Sequence, residues 1–202
     1  LRCCGMPNLD GGDVAAATDK MRASVEELLP HVRRGAKVIV PGPTCGYTMK
    51  KEWGSYVGTG EAAEVAAATV DLMEWLEQLR RQKRLDKRFE RSLGKVAYHA
   101  SCHLRAQKIG IPGARLLGLV PETEVRVVER CSAIDGTWGL REENLDMSRK
   151  VARKMADGIR KADSEVVAGD CSLANGGIRL ETGAAPVHPL TVMARAYGLP
   201  EE

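Results

Sequence analysis

Six cysteines, Cys3, Cys4, Cys45, Cys102, Cys131 and Cys171, are the residues of this 202-residue chain best suited to chemistry. Thiolates ligate metals, exchange disulfides and attack electrophiles. Cys3 and Cys4 are adjacent, a spacing that scarcely permits a disulfide between them, and two exposed thiols side by side invite oxidation unless something holds both. Zinc sites draw their cysteines in close pairs. Here the remaining cysteines are dozens of residues apart. An iron–sulfur cluster also needs thiolates, but it is bulky enough to bridge well-separated loops. Gly5 and Gly46, each beside a cysteine, leave room for inorganic sulfide and offer backbone N–H groups to it. Metal ligation is therefore the leading reading, ahead of a disulfide framework or inert buried thiols, and no secretory signal points to an oxidising compartment.

The elements that must position these thiols alternate between helix and strand. Met21, Val25, Leu28, Leu29 and Val32 share one face of a helix over 14–34, preceded by Asp10 and Asp13 and closed by Gly35. "KVIV" (37–40) reads as a strand. A long helix is expected over 61–83, with Val65, Leu72, Met73, Leu76 and Leu79 along one side. "KVAY" (95–98) and "EVRVVE" (124–129) are strands around a short helix near 113–119. Leu145, Val151, Met155 and Ile159 face one way on a helix over 142–162, "EVVA" (165–168) is a strand, and a last helix covers about 189–198. This alternation predicts an α/β fold with parallel strands and helices on the faces of the sheet.

Cys45, Cys102, Cys131 and Cys171 each follow one of the four strands. Ligands of open parallel sheets bind just beyond the carboxyl ends of the strands, so four strand ends would carry four thiols to one edge. Forty residues separate Cys4 from Cys45, and thirty-nine separate Cys131 from Cys171. "CCGMPNLDGG" parallels "CSAIDGTWG", and "VIVPGPTCGYT" parallels "VVAGDCSLA". The chain reads as two related Rossmann-like units, 1–92 and 93–202, with cysteines at strand carboxyl ends. It begins at Leu1, inside the first motif, which suggests the later part of a longer protein.

"CCGMP", "PTCGYTMKKEWG", "YHASCHLRAQ", "ERCSAIDGTWG" and "DCSLA…ETG…VHP" occur in that order. Together they resemble the cysteine-rich CCG domain of iron–sulfur proteins. That family includes cysteine-rich subunits of anaerobic glycerol-3-phosphate dehydrogenase and of heterodisulfide reductase, and the glycolate oxidase iron–sulfur subunit. The resemblance implies an electron-transfer component of an oxidoreductase. Its partners would be a flavoprotein or ferredoxin-like donor and a quinone or disulfide acceptor, or a membrane-associated subunit. Cys3, Cys4 and Cys45 would hold one cluster, with a fourth thiolate upstream of Leu1. Cys102, Cys131 and Cys171 would hold a second. The cluster type implied is 4Fe–4S, with 3Fe–4S as the alternative in the second unit. The family's fuller pattern ends each unit in C-x-x-C, whereas Thr48 and Ala174 stand at the second positions here. A noncubane cluster needing five thiolates is therefore not expected. Ser132 occupies the place of the second cysteine of the CC pair, so the fourth ligand of the second unit falls to Ser132, His99 or His103.

Other features carry less. A near-balanced net charge of +3 argues against nucleic-acid binding. No run approaches the ~18 apolar residues of a membrane span, which fits a cytoplasmic protein, peripheral to the membrane through a partner. The basic stretch 79–92 reads as a solvated helix end. Trp53, Trp75 and Trp138 read as packing, His188 as a turn residue at a helix start, His31 as a surface residue, and "GIPG" (110–113) as a turn. A cysteine-based redox or metal sensor and a structural zinc module are the alternative functions.

Overall fold

A computed structural model describes residues 1–200. The chain forms two units, Leu1–Leu72 and Met73–Glu202.

The first unit is built around α2 (Val14–Arg33), which Asp13 starts by accepting the Ala16 N–H at 3.0 Å. The short α1 (Met6–Asp10) packs against it, and its buried side chains include Ala17, Met21 and Val25. Strand β1 (Val38–Val40) leads into α3 (Pro43–Tyr47), a π-helical turn (Thr48–Glu52) and α4 (Trp53–Val57). Helix α5 (Gly60–Ala68), capped by the Thr59 hydroxyl on Ala62 N–H, then gives way to β2 (Thr69–Asp71). The continuous helix expected over 61–83 is thus broken. The apolar spacing runs on through Thr69 and Val70, but these β-branched residues lose side-chain freedom in a helix. Strand β1 also offers them a parallel partner, pairing Val38 with Thr69 and Val40 with Asp71.

Helix α6 (Leu72–Arg81) begins on the last residue of the first unit. The second unit's sheet has the order β4-β3-β5, all parallel: β3 (Gly94–His99), β4 (Thr123–Val128) and β5 (Val166–Gly169). Central β3 reads as an unbroken run because both of its faces are covered; Val96, Ala97 and Tyr98 have no solvent exposure. The four strands legible in the sequence therefore fall into two sheets, since β1 pairs with β2. Helices α7 (Cys102–Ala106), α8 (Pro112–Leu117), α9 (Leu145–Lys161), α10 (Ser172–Thr182) and α11 (Pro189–Ala196) complete the unit. On α9 the buried stripe is Ser148, Ala152, Met155, Ala156 and Ile159, whereas Val151 is exposed. Small residues at 3.6-residue spacing let this helix approach Ala97, Val128 and Ile178 in the core. Among the described residues no helix is long and apolar enough to cross a membrane.

Candidate functional site

In the first unit Cys3 and Cys4 precede α1, and Gly5 sets how they meet α2. Its φ is +95°, and a Cβ there would lie 2.9 Å from the Met21 Cε and 3.1 Å from the Ala17 carbonyl oxygen. Only glycine allows that conformation and that approach together. Cys45 comes from the first turn of α3. The Cys4 thiol hydrogen-bonds with Cys45 and with Cys3, and it also accepts the Met6 N–H. All three thiols line one cavity of about 210 Å³, with Ser24, Met49 and Trp53 among its walls. The indole N–H of buried Trp53 donates to the Cys4 carbonyl at 2.9 Å, fixing the backbone of the pair from behind.

Sharing a hydrogen bond with Cys45 pushes the Cys4 thiol far above the ordinary cysteine range, and burial adds to it. Thiols this close cannot all ionise without a compensating positive charge. A metal bound by these thiols would supply that charge and release the protons.

In the second unit Cys102 is the first residue of α7 after β3, Cys131 follows β4, and Cys171 caps α10 after β5. The chain leaves β3 for β4 on one side and returns to β5 on the other. Such a reversal opens a crevice at the carboxyl ends of the strands, where open parallel sheets bind ligands. Packing around its sulfur pushes the Cys102 thiol up, and the nearby Cys131 and Cys171 push it further; the His103 N–H acts in the opposite sense. The Ala133 N–H donates to Cys131 Sγ at 3.3 Å.

His99 and His103, the expected neighbours of this site, differ. His99 is buried, and its Nε2 hydrogen-bonds to the Arg130 carbonyl at 2.8 Å, holding the backbone just before Cys131. Burial holds its basicity below that of a free imidazole. His103 and Ser132 are half-buried. His188, as expected, starts a helix, accepting the Leu190 N–H through Nδ1. His31 is exposed on α2, and Gly110, at φ +76°, turns the chain before α8. Trp53 packs, whereas Trp138 stays 39% exposed.

Apart from His99, sequence patterns gave no sign of several buried polar atoms in the two units. Ser24 Oγ and Thr48 Oγ1 in the first unit are buried without a hydrogen-bond partner. So are His99 Nδ1, Ser101 Oγ, Asp170 Oδ1 and Asn175 Oδ1 in the second. Tyr98 donates to the other Asp170 oxygen at 2.6 Å, and burial pushes that carboxyl up. Buried polar atoms are normally paired. Of the unpaired ones, Ser24 lines the cavity with Cys3, Cys4 and Cys45, and Ser101 and Asp170 immediately precede Cys102 and Cys171, which fits sites that a bound group completes. Among the described residues, no three His, Cys, Asp or Glu side chains converge tightly enough for a single metal ion. A polynuclear cluster, whose thiolates bind different irons, sets no such requirement.

None of the six cysteines is in a disulfide. Cys3, Cys4 and Cys45 lie in one unit and Cys102, Cys131 and Cys171 in the other.

Residues 96–174 match the CCG family, a cysteine-rich domain, and this span contains the second group of cysteines. The chain is 26% identical over 204 residues to a subunit of anaerobic glycerol-3-phosphate dehydrogenase from Escherichia coli K12, covering 96% of this chain and 49% of that protein. It is 24% identical over 201 residues to lactate utilization protein A of Anoxybacillus flavithermus, covering 94% of this chain and 80% of that protein. The chain thus spans about half the length of the first of these relatives.

Proposed function

Starting from a chain that carries a CCG cysteine-rich domain over residues 96–174, we propose that it is an iron–sulfur electron-transfer subunit, or part of one, of an oxidoreductase. Two Rossmann-like halves, expected from the sequence over 1–92 and 93–202 and divided in the structure between Leu72 and Met73, would each hold one cluster at strand carboxyl ends. Cys3, Cys4 and Cys45 serve the first, and Cys102, Cys131 and Cys171 the second, with Ser132, His99 or His103 at its fourth position. The cluster is of the 4Fe–4S type, or 3Fe–4S in the second half. When bound it supplies one-electron redox chemistry. The chain's own groups do the rest. Thiolates would ligate, the Met6 and His103 N–H groups favour the thiolates of Cys4 and Cys102, the Ala133 N–H donates to Cys131 Sγ, and His99 and Trp53 brace the backbone beside Cys131 and Cys4.

The observation that carries this reading is the grouping of thiols in threes beside buried, unpaired polar atoms. The named relatives, a dehydrogenase subunit and a lactate utilization protein, support a place in a redox complex. A flavoprotein or ferredoxin-like donor, and a quinone or disulfide acceptor reached through a membrane-associated subunit, are the partners proposed. Reconstitution of the 202-residue chain with ferrous iron and sulfide under anaerobic conditions tests it. Iron and acid-labile sulfide should bind in similar amounts with broad visible absorption, and Cys45→Ser and Cys171→Ser should each remove part of both. Stoichiometric zinc without sulfide would instead establish a structural zinc module, and no bound metal would end the proposal.

A further inference from the structure

The cavity of the first unit is largely apolar but holds a buried hydroxyl that the cysteine motifs do not announce. Ser24 lies on α2, is 1% exposed, and lines the cavity together with Cys3, Cys4 and Cys45. Its hydroxyl has no partner. That is unusual for a serine inside a helix, because the carbonyl four residues earlier is within reach. Other hydroxyls of this chain take that option. Thr18, on the same helix, donates to Val14 at 2.8 Å; Thr69 donates to Val65 at 2.8 Å, and Thr182 to Ile178 at 2.7 Å. Ser24 leaves the equivalent bond to Lys20 unmade. Elsewhere in the cavity wall Leu28 and Met49 offer no donor, and the Trp53 N–H is committed to the Cys4 carbonyl. Arg2, which also lines the cavity, is an exposed residue, so Ser24 is the buried side-chain donor left to the site. An unpaired buried hydroxyl costs stability unless a ligand accepts from it.

We propose that Ser24 donates a hydrogen bond to a sulfur of the group held by Cys3, Cys4 and Cys45, and so acts as a positioning residue that tunes its potential. This rests on the iron–sulfur reading of that site. An alcohol keeps its proton near neutral pH and is a hard, weak ligand beside thiolates, so donation to sulfur is the role its chemistry fits. Hydrogen bonds to cluster sulfurs favour the reduced, more negative state and raise the reduction potential.

The proposal makes opposite claims for the empty and the filled site. Without iron, Ser24→Ala removes an unpaired buried hydroxyl, so the variant should melt at the same temperature as the wild type or higher. With iron it should bind the same iron and sulfide per chain. The potential of the first centre, titrated by electron paramagnetic resonance in a Cys171→Ser background, should fall by the equivalent of about a tenfold change in the ratio of reduced to oxidised forms, or about 59 mV for one electron. Ser24→Thr, which keeps a hydroxyl, should recover most of that shift. A lower melting temperature of the iron-free variant would make Ser24 structural. Lost iron would make it a ligand, and an unmoved potential would remove its role; each overturns the proposal. If the wild type binds no iron at this site, the iron–sulfur reading itself fails, a result distinct from an unmoved potential.

Discussion

Trp53→Phe tests whether the first group of cysteines is held by its protein surroundings as the structure implies. Trp53 is 1% exposed and its indole N–H donates to the Cys4 carbonyl at 2.9 Å. Phenylalanine keeps most of the ring contact but removes the donor, leaving a buried carbonyl short of a partner at a cost of about 1–3 kcal/mol. The smaller ring leaves some unfilled space, so a total near 2 kcal/mol is expected, within the range of core truncations. At 1.4 kcal/mol per factor of ten, that is roughly a thirtyfold fall in protection against amide exchange. Hydrogen exchange read by mass spectrometry should place the fall in peptides containing the buried Ala17, Met21 and Val25 of α2, with β3 unchanged. Trp138→Phe is the control: at 39% exposed, it should stay within about 0.5 kcal/mol. In reconstituted protein, Trp53→Phe should shorten the lifetime of iron in the first group and not the second. Less than about a threefold change in α2 protection, or about 0.7 kcal/mol, would refute the idea that this bond braces the cysteine pair.

Two further outcomes are expected. Glu77 is buried and bonded to Arg80 at 2.6 Å and Arg81 at 3.3 Å, with Arg115 at 3.7 Å; the Arg80 hydrogen bond is foremost in holding its carboxyl below the usual 4.5. The unfolded chain then takes up the proton first, so this stability is present above pH 4.5 and is lost as the pH falls through the depressed folded value. Glu77→Gln should cost about 1–3 kcal/mol at pH 7, allowing for the exposed arginines, and the gap to wild type should close in thermal melts run toward pH 3. A constant gap would show that the charge is not responsible. Ser132→Cys adds a sulfur where the repeat places Cys4 in the first unit, and a thiolate suits iron–sulfur centres better than an alcohol. The variant should retain iron longer in the second group and shift any three-iron resonance toward the four-iron type; an unchanged lifetime would break the equivalence of the two positions.

What the sequence disclosed and what it hid follow from the range of the forces involved. Central β3 could be read because a strand buried on both faces must be apolar without interruption, as Val96, Ala97 and Tyr98 are. Helix α2 could be read because one face alone is covered. Strand β2 could not. Its helical spacing continues through Thr69 and Val70, and only the distant β1 makes extended backbone the better choice. The short helices after the cysteines were also missed: α7 has five residues, too few to show a period of 3.6. At the candidate sites the thiols stood out, because adjacent cysteines scarcely permit a disulfide between them and few other roles call for both sulfurs in one place. Their supports did not. Trp53, Ser24 and Asp170 are ordinary residue types at unremarkable spacings and gain their roles from the Cys4 carbonyl, the thiol-lined cavity and the Tyr98 hydroxyl, while His99, legible as a candidate ligand, gains its bond to the Arg130 carbonyl only on folding. Motifs name the atoms that would touch a cluster. The residues that hold those atoms in place, and that would set their electrostatics, are specified by packing across tens of residues, and there the Ser24 and Trp53 substitutions probe the site most directly.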